Sequence, residues 1–384
     1  MKKNLRLTPV LSAAIVMLML YSCTKSNNSD VVPAATNDNI ALHNYGLLPM
    51  QPEQWANVPT FSKNVISGRM GVFGLSSSAL PSSYLLASPA IRDQGQIGSC
   101  TGFCGAETDQ ILYYYKNSAS PVASANFTSS STSSPGIAQT ITNQVVNTPA
   151  LSPLFVYYVE RCVILKQSIT ADKGAYMVNI PETFQGLTNN TGTGTALTLN
   201  GTKFAGVCYE TDYPYPSNGS STSTQYKTPP AGNALTNDLL YTIGGQNGTT
   251  GSSGTTTNGY YVINSSDPVT DVKTALANNK PVMMGFNVYD NSRYQYFEAL
   301  NTTKYTYNPL ASSGKLAQGV RLLGGHAVPI IGYINDASQP GGGVFICQNS
   351  WSTSWGYHGY FYLPYSVLKS TNVVPAGSLY VAII

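Results

Sequence analysis

The sequence predicts an α+β fold, with a helical half followed by a sheet-rich half. Three observations predict it. Two helix-patterned stretches, "CTGFCGAETDQILYYYK" (100–116) and "SPLFVYYVERCVI" (152–164), lie in the first half of the chain. Five runs rich in Val, Ile, Phe and Tyr crowd the last hundred or so residues, separated by Gly, Pro and Asn. No internal repeat is visible.

The elements follow in order. In 100–116 the positions Phe103, Ala106, Gln110 and Ile111 share a helix-spaced face, and Ser99 suits the N-cap. In the second helix Ser152 is the expected cap, with Pro153 at the first position. "GVCYETDYPY" (206–215) reads as extended and ends in a proline turn. "DPVTDVKTALANN" (267–279) reads as a short helix capped by Asp267. The strands are "PVMMGFNVY", "HAVPIIGYI", "GVFICQNSW", "GYFYLPYS" and "SLYVAII". Residues 117–150 and 216–258 are Ser/Thr/Gly-rich and read as loop insertions.

The first 22 residues have Lys2, Lys3 and Arg6 before a short apolar run, the pattern of a secretory signal. "LYSC" resembles a bacterial lipobox, which makes Cys23 the lipid-bearing first residue of the mature chain; the alternative is an ordinary signal cut nearby. Either way the chain is expected to be exported. With a lipid it is a periplasmic or cell-surface protein held to the membrane at Cys23. Residues 23–79 form a spacer or a short pro-like segment. Its part 45–79, with Trp55, Phe61, Val72 and Phe73, either packs on the domain or acts as a pro-segment. Residues 80–384 form the domain itself, helical over about 80–215 and sheet-rich over about 216–384.

Only 10% of residues are charged, and the net charge is +3 with no basic stripe, so nucleic acid is not an expected partner. A monomer is expected. Six cysteines are present, Cys23, Cys100, Cys104, Cys162, Cys208 and Cys347. If Cys23 carries lipid, an odd number remains and at least one thiol is unpaired. Cys104 is either a buried small apolar residue or half of a disulfide, and Cys162 and Cys208 could pair.

Three segments carry chemistry. They are "DQGQIGSC" with Gln94 and Cys100, "GGHAVPIIGY" with His326, and "QNSWSTSWGYHGYFYL" with Asn349, Trp351 and Trp355. A thiol nucleophile needs a base, and the base needs an orienting group. The three segments supply that set. These blocks resemble the signature blocks of papain-like cysteine peptidases. "GVCYETDYPY" and "NNKPVMMGF" match the secondary blocks between Cys and His, in the same order.

The resemblance covers about 80–384 and implies a two-subdomain fold, a helical left half and a β-barrel-like right half with a cleft between. It implies Cys100 as nucleophile, His326 as general base and acid, and Asn349 as the group that fixes the imidazole. Gln94 would serve the oxyanion hole with the Cys100 N–H, a donor worth about 3 kcal/mol. Trp351 would shield the His–Asn contact. A thiol at a helix N-terminus beside an imidazolium has a lowered pKa, so the expectation is a thiolate–imidazolium pair formed before substrate arrives. Peptide or protein is the implied substrate. No metal or organic cofactor is implied.

Gly192 and Gly194 either line the cleft or form a plain loop; Met284 and Gly285 either line the main side-chain pocket or belong to a core strand. His43 reads as a solvated spacer residue and His358 as a surface loop residue. The sequence departs from the family at Ile97, where papain has a disulfide cysteine. It departs also at Thr101, in place of a tryptophan, and at Gly325, in place of an acidic residue. Cys100 and His326 stand 226 residues apart, against about 130–150 in the family. The two polar insertions account for the excess, since surface insertions cost little stability. Two other functions fit less of the sequence: an inactive papain-fold binding protein, and a transglutaminase-like acyl transferase. Asn349, where those transferases use Asp, argues against the second.

Overall fold

A computed structural model describes residues 43–48, 51–56, 58, 60–61, 80–118, 146, 148–165, 167–169, 171–174, 176, 206–217, 219, 224–237, 259–291 and 296–383. Cys23, Gly192, Gly194, Val72 and Phe73 lie outside the described residues.

After a short helix α1 (Pro52–Trp55) and strand β1 (Ser83–Leu85) comes the long helix α2 (Cys100–Asn117). Every residue from Cys100 to Leu112 is buried. A helix covered on all sides belongs to the centre of a fold, and α2 packs against both α3 (Pro153–Leu165) and the sheet. Ser152 caps α3, its Oγ accepting the Phe155 N–H at 3.0 Å. The expected cap at Ser99 does not form. Its Oγ pairs instead with the Tyr215 hydroxyl at 2.6 Å, which ties the loop before α2 to the 206–217 segment. That segment is more turned than extended, with a single bridge from Tyr209 to Leu151. A 3-10 turn (Gln225–Lys227) and helix α4 (Asn233–Asn237) follow. Tyr226 and Ala234 pack with Leu154, Tyr158 and Ile169 of the helical half. The helical half therefore runs on past 215 to Asn237.

The remaining elements are β2 (Gly259–Val262), α5 (Pro268–Ala277), β3 (Val282–Asp290), β4 (Arg321–Asn335), β5 (Gly343–Gln348), β6 (Tyr360–Pro364), α6 (Tyr365–Leu368) and β7 (Leu379–Ile383). Asp267 caps α5, its carboxylate accepting the Thr270 N–H. The strands are antiparallel in the order β2-β7-β3-β4-β5-β6, with β1 also on β4. Among the described residues the sheet does not close, which corrects the barrel-like expectation. Neither β1 nor β2 stands out in the sequence, being only 3 and 4 residues long.

Three apolar clusters result. One fills the sheet half around Phe286, Ile330 and Phe345. One fills the helical half around Phe155 and Tyr158. The third is a seam of residues from both halves, with Cys100, Cys104 and Val156 on helices and Met283 and Ala327 on strands. Among the described residues no disulfide forms, and Cys100, Cys104, Cys162, Cys208 and Cys347 are all buried.

Asp109 on α2 is fully buried, and neither carboxylate oxygen has a hydrogen-bond partner among the described residues. Burial pushes its pKa up to about 8, and Lys116 pulls against this. An unfolded Asp ionises near 3.8. The folded form keeps its proton, so stability falls as pH rises from about 4 to about 8. We predict that Asp109→Asn raises the Tm at pH 8 and leaves it nearly unchanged at pH 4. Parallel wild-type and variant curves of Tm against pH would contradict this.

Candidate active site

Two strands and one helix end meet at the seam. His326 lies on β4, opposite Phe286 of β3. Asn349 follows the last residue of β5, the other neighbour of β4. Pairing of β4 with β5 brings the side chains together, His326 Nε2 to Asn349 Oδ1 at 2.7 Å. The Ser350 N–H also points at that Oδ1, at 2.9 Å. Two donors on one atom fix it as the carbonyl oxygen, so Nε2 carries the proton. The other nitrogen, Nδ1, is then the basic one. It is buried and makes no hydrogen bond among the described residues.

Cys100 opens α2, and its sulfur is held by backbone hydrogen bonds from Gly46, Ala327 and Thr101. Ala327 is the residue directly after His326, so the thiol touches the strand that carries the imidazole. Gln94 is anchored at three points. Its Oε1 accepts the Ser350 hydroxyl at 2.6 Å, its N–H donates to Ser350 O at 2.8 Å, and its carbonyl accepts the Tyr215 hydroxyl at 2.9 Å. Its Nε2 donates to Ile97 O at 3.0 Å and to Asn44 O at 3.5 Å. Ser350 thus contacts both Gln94 and Asn349. The sequence reading missed it, although it lies inside the "QNSW" block.

Aromatic rings surround the imidazole. Trp351 lies 4.9 Å from it, and Phe286 and Phe297 each 5.7 Å. Trp355 backs Trp351 at 5.2 Å. Met284 points into the sheet core with Phe286 and Val328. Its neighbour Met283 is the one that packs with Cys100 and Ala327. By strand alternation Gly285, paired with Ala327, faces the same way as Met283. The period-2 pattern along β3 carried that distinction. His358 is exposed, with φ 54°.

The largest surprise lies in residues 43–48, which run across the site. His43 is not a solvated spacer residue. Its ring stacks on Trp351 at 3.8 Å and 6° between planes, and its Nδ1 lies 3.0 Å from Glu298 Oε2. Tyr45 sets its ring edge-on to His326 at 6.2 Å and donates its hydroxyl to Glu298 Oε1. Gly46 presses on Gly98, where an added Cβ on Gly46 would sit 1.8 Å from the Gly98 carbonyl oxygen. Leu47 donates its N–H to Gly325 O at 3.2 Å and packs with Cys100 and Met283. A Cβ at Gly325 would come within 2.6 Å of Leu47 O. The family's acidic residue cannot stand before the histidine while this segment is in place.

The cover decides the protonation states. Cys100, His326 and Gln94 are each 0% exposed. Burial pushes the Cys100 thiol up to about 11, against the backbone donors that favour the thiolate. Burial holds His326 down to about 3, against the Asn349 hydrogen bond. The expected preformed ion pair is therefore absent here. The sulfur stands at a helix N-terminus and has backbone donors, but loss of water outweighs both.

Comparisons with known proteins bear on the fold and on part of the chain. Residues 189–375 match the family described as papain family cysteine protease, a stretch holding His326 and Asn349 but not Cys100. The crystal structure of xylellain, a cysteine protease from Xylella fastidiosa, is similar over 91% of this chain and 99% of its own, with a TM-score of 0.54 at 21% identity. The chain has the papain-like fold, and its resemblance to the papain family extends over residues 189–375. Among curated relatives, an uncharacterized peptidase C1-like protein of Acanthamoeba polyphaga mimivirus is 30% identical over 28% of this chain and 30% of its own. Cathepsin B-like cysteine proteinase 5 of Caenorhabditis elegans is 34% identical over 24% of this chain and 22% of its own. The matched stretches thus span less than a third of either relative.

The contact at Gly325 yields a prediction. Gly325→Ala forces Leu47 away, so iodoacetamide should alkylate Cys100 faster than in wild type. The pH midpoint of that reaction should fall below about 11. An unchanged rate and midpoint would show that residues 43–48 do not control access to the thiol.

Proposed function

We propose that the chain is a cysteine peptidase, present here in a latent form with its own residues 43–48 in the cleft. The observation that carries the reading is the hydrogen bond between His326 Nε2 and Asn349 Oδ1, which assigns the proton to Nε2. Asn349 holds Nε2–H at 2.7 Å and leaves Nδ1 bare, on the strand whose next N–H meets the Cys100 sulfur.

Once the cleft is open, water returns and the thiol and imidazole can exchange a proton. The Cys100 sulfur attacks the peptide carbonyl carbon, and an S–C bond forms as the proton settles on His326 Nδ1. The carbonyl oxygen becomes an oxyanion, with the Gln94 amide and the Cys100 N–H as donors. The C–N bond then breaks, and the imidazolium protonates the departing amine. His326 next takes a proton from water, whose oxygen attacks the thioester carbonyl. The S–C bond breaks, releasing the acid and restoring the thiol. Asn349 keeps the ring in one orientation throughout. Trp351 lies over that contact and keeps it dry.

Export, and anchoring through lipid at Cys23, belong to the same proposal. They rest on the sequence alone, as does the choice of peptide rather than another acyl substrate.

The test is cleavage of a peptide library by Gly325→Ala, with and without Cys100→Ala. Hydrolysis that disappears with the thiol supports the proposal. Amine incorporation without hydrolysis, or no reaction at an alkylatable thiol, would overturn it. Within the same assay Gln94→Ala should lower kcat by on the order of 10²–10³, the worth of one preorganised oxyanion donor.

A further inference from the structure

We propose that Glu298 and Trp351 form a subsite for a planar nitrogen-bearing side chain of the substrate, arginine or histidine, beside the scissile bond. The inference rests on the peptidase reading and adds a substrate class to it. Nothing in the sequence blocks points to Glu298, which stands in the turn after β3.

The turn already holds such a side chain. The His43 imidazole lies flat on the Trp351 indole and directs Nδ1 at Glu298 Oε2, 3.0 Å away. The other carboxylate oxygen accepts the Tyr45 hydroxyl. The Glu298 side chain is only 2% exposed. A buried carboxylate is costly without donors, and in the covered form both donors come from residues 43–48. When that segment leaves, Glu298 faces the cleft with its two acceptors open.

The subsite does not depend on the segment for its shape. Asp290 Oδ1 accepts the Phe297 N–H at 3.0 Å and the Tyr296 N–H, clamping the turn from behind. Phe297 wedges between Trp351 at 5.1 Å and Trp355 at 4.9 Å. A site held by such contacts is preorganised, so little ordering is left to do on binding. The Trp351 ring is 4.9 Å from His326, which puts the occupant next to the reacting atoms. An indole face together with a carboxylate suits a guanidinium best, since it stacks flat and donates two hydrogen bonds at once.

The test uses the full chain carrying His43→Ala and Tyr45→Ala, which removes both contacts to Glu298. Peptides differing only in Arg, His, Gln or Glu at one position are compared by kcat/KM. Their binding to the same protein with Cys100→Ala is measured by calorimetry. Arg and His should exceed Gln about tenfold at one position on one side of the cleaved bond, as for a charge-assisted hydrogen bond. Glu298→Gln should abolish that ratio, and Glu298→Lys should invert it in favour of Glu. Mere loss of structure would not invert it. An equal Arg-to-Gln ratio with and without the carboxylate, in binding as in cleavage, overturns the subsite. Arg-selective binding without any cleavage leaves the subsite standing and overturns the peptidase reading instead.

Discussion

Exclusion of water from one seam governs this molecule. The start of α2 meets β4 there, and the Cys100 sulfur has a backbone hydrogen bond from Ala327. Helix dipole and backbone donors both favour charge at that point. Residues 43–48 remove the solvent that charge would need. In the proposed mechanism the same elements hold a neutral pair while that strip of chain is in place and a reactive one when it leaves.

That strip also explains a departure in the sequence. Gly325 weakens the electrostatics expected of the family, because no acid stands before His326. Its backbone is instead a rail on which Leu47 forms a β-bridge. Gly98 serves Gly46 in a similar way on the helix side. Small residues on both walls leave a gap as narrow as a peptide backbone.

Much of the fold was legible in the sequence. α3 and α5 follow from cap residues and apolar spacing, and the five long strands from dense β-branched and aromatic runs. β1 and β2 were not legible, since three or four residues give too little periodicity. Ser99 misled because its hydroxyl had a better partner in Tyr215, which is 116 positions away. Within the candidate site, Cys100, His326, Asn349 and Gln94 stand in motif blocks, and the structure places all four buried along the seam. Ser350 and Glu298 act through contacts formed only in three dimensions. His43 and Tyr45 were hidden by their place in a polar leader, where composition suggests solvent. Met283 rather than Met284 reaches the seam, a one-residue register choice that β-strand alternation could have settled.

The five described thiols share one further property. Each is enclosed by the fold, and none is tied to another. Cohesion comes from packed rings and ladders of backbone bonds, with no sulfur cross-link among the described residues. A strong reductant, the usual companion of a thiol enzyme in storage, therefore has no covalent strut to cut in this part of the chain. Conditions that keep the Cys100 thiol reduced leave this part of the scaffold untouched.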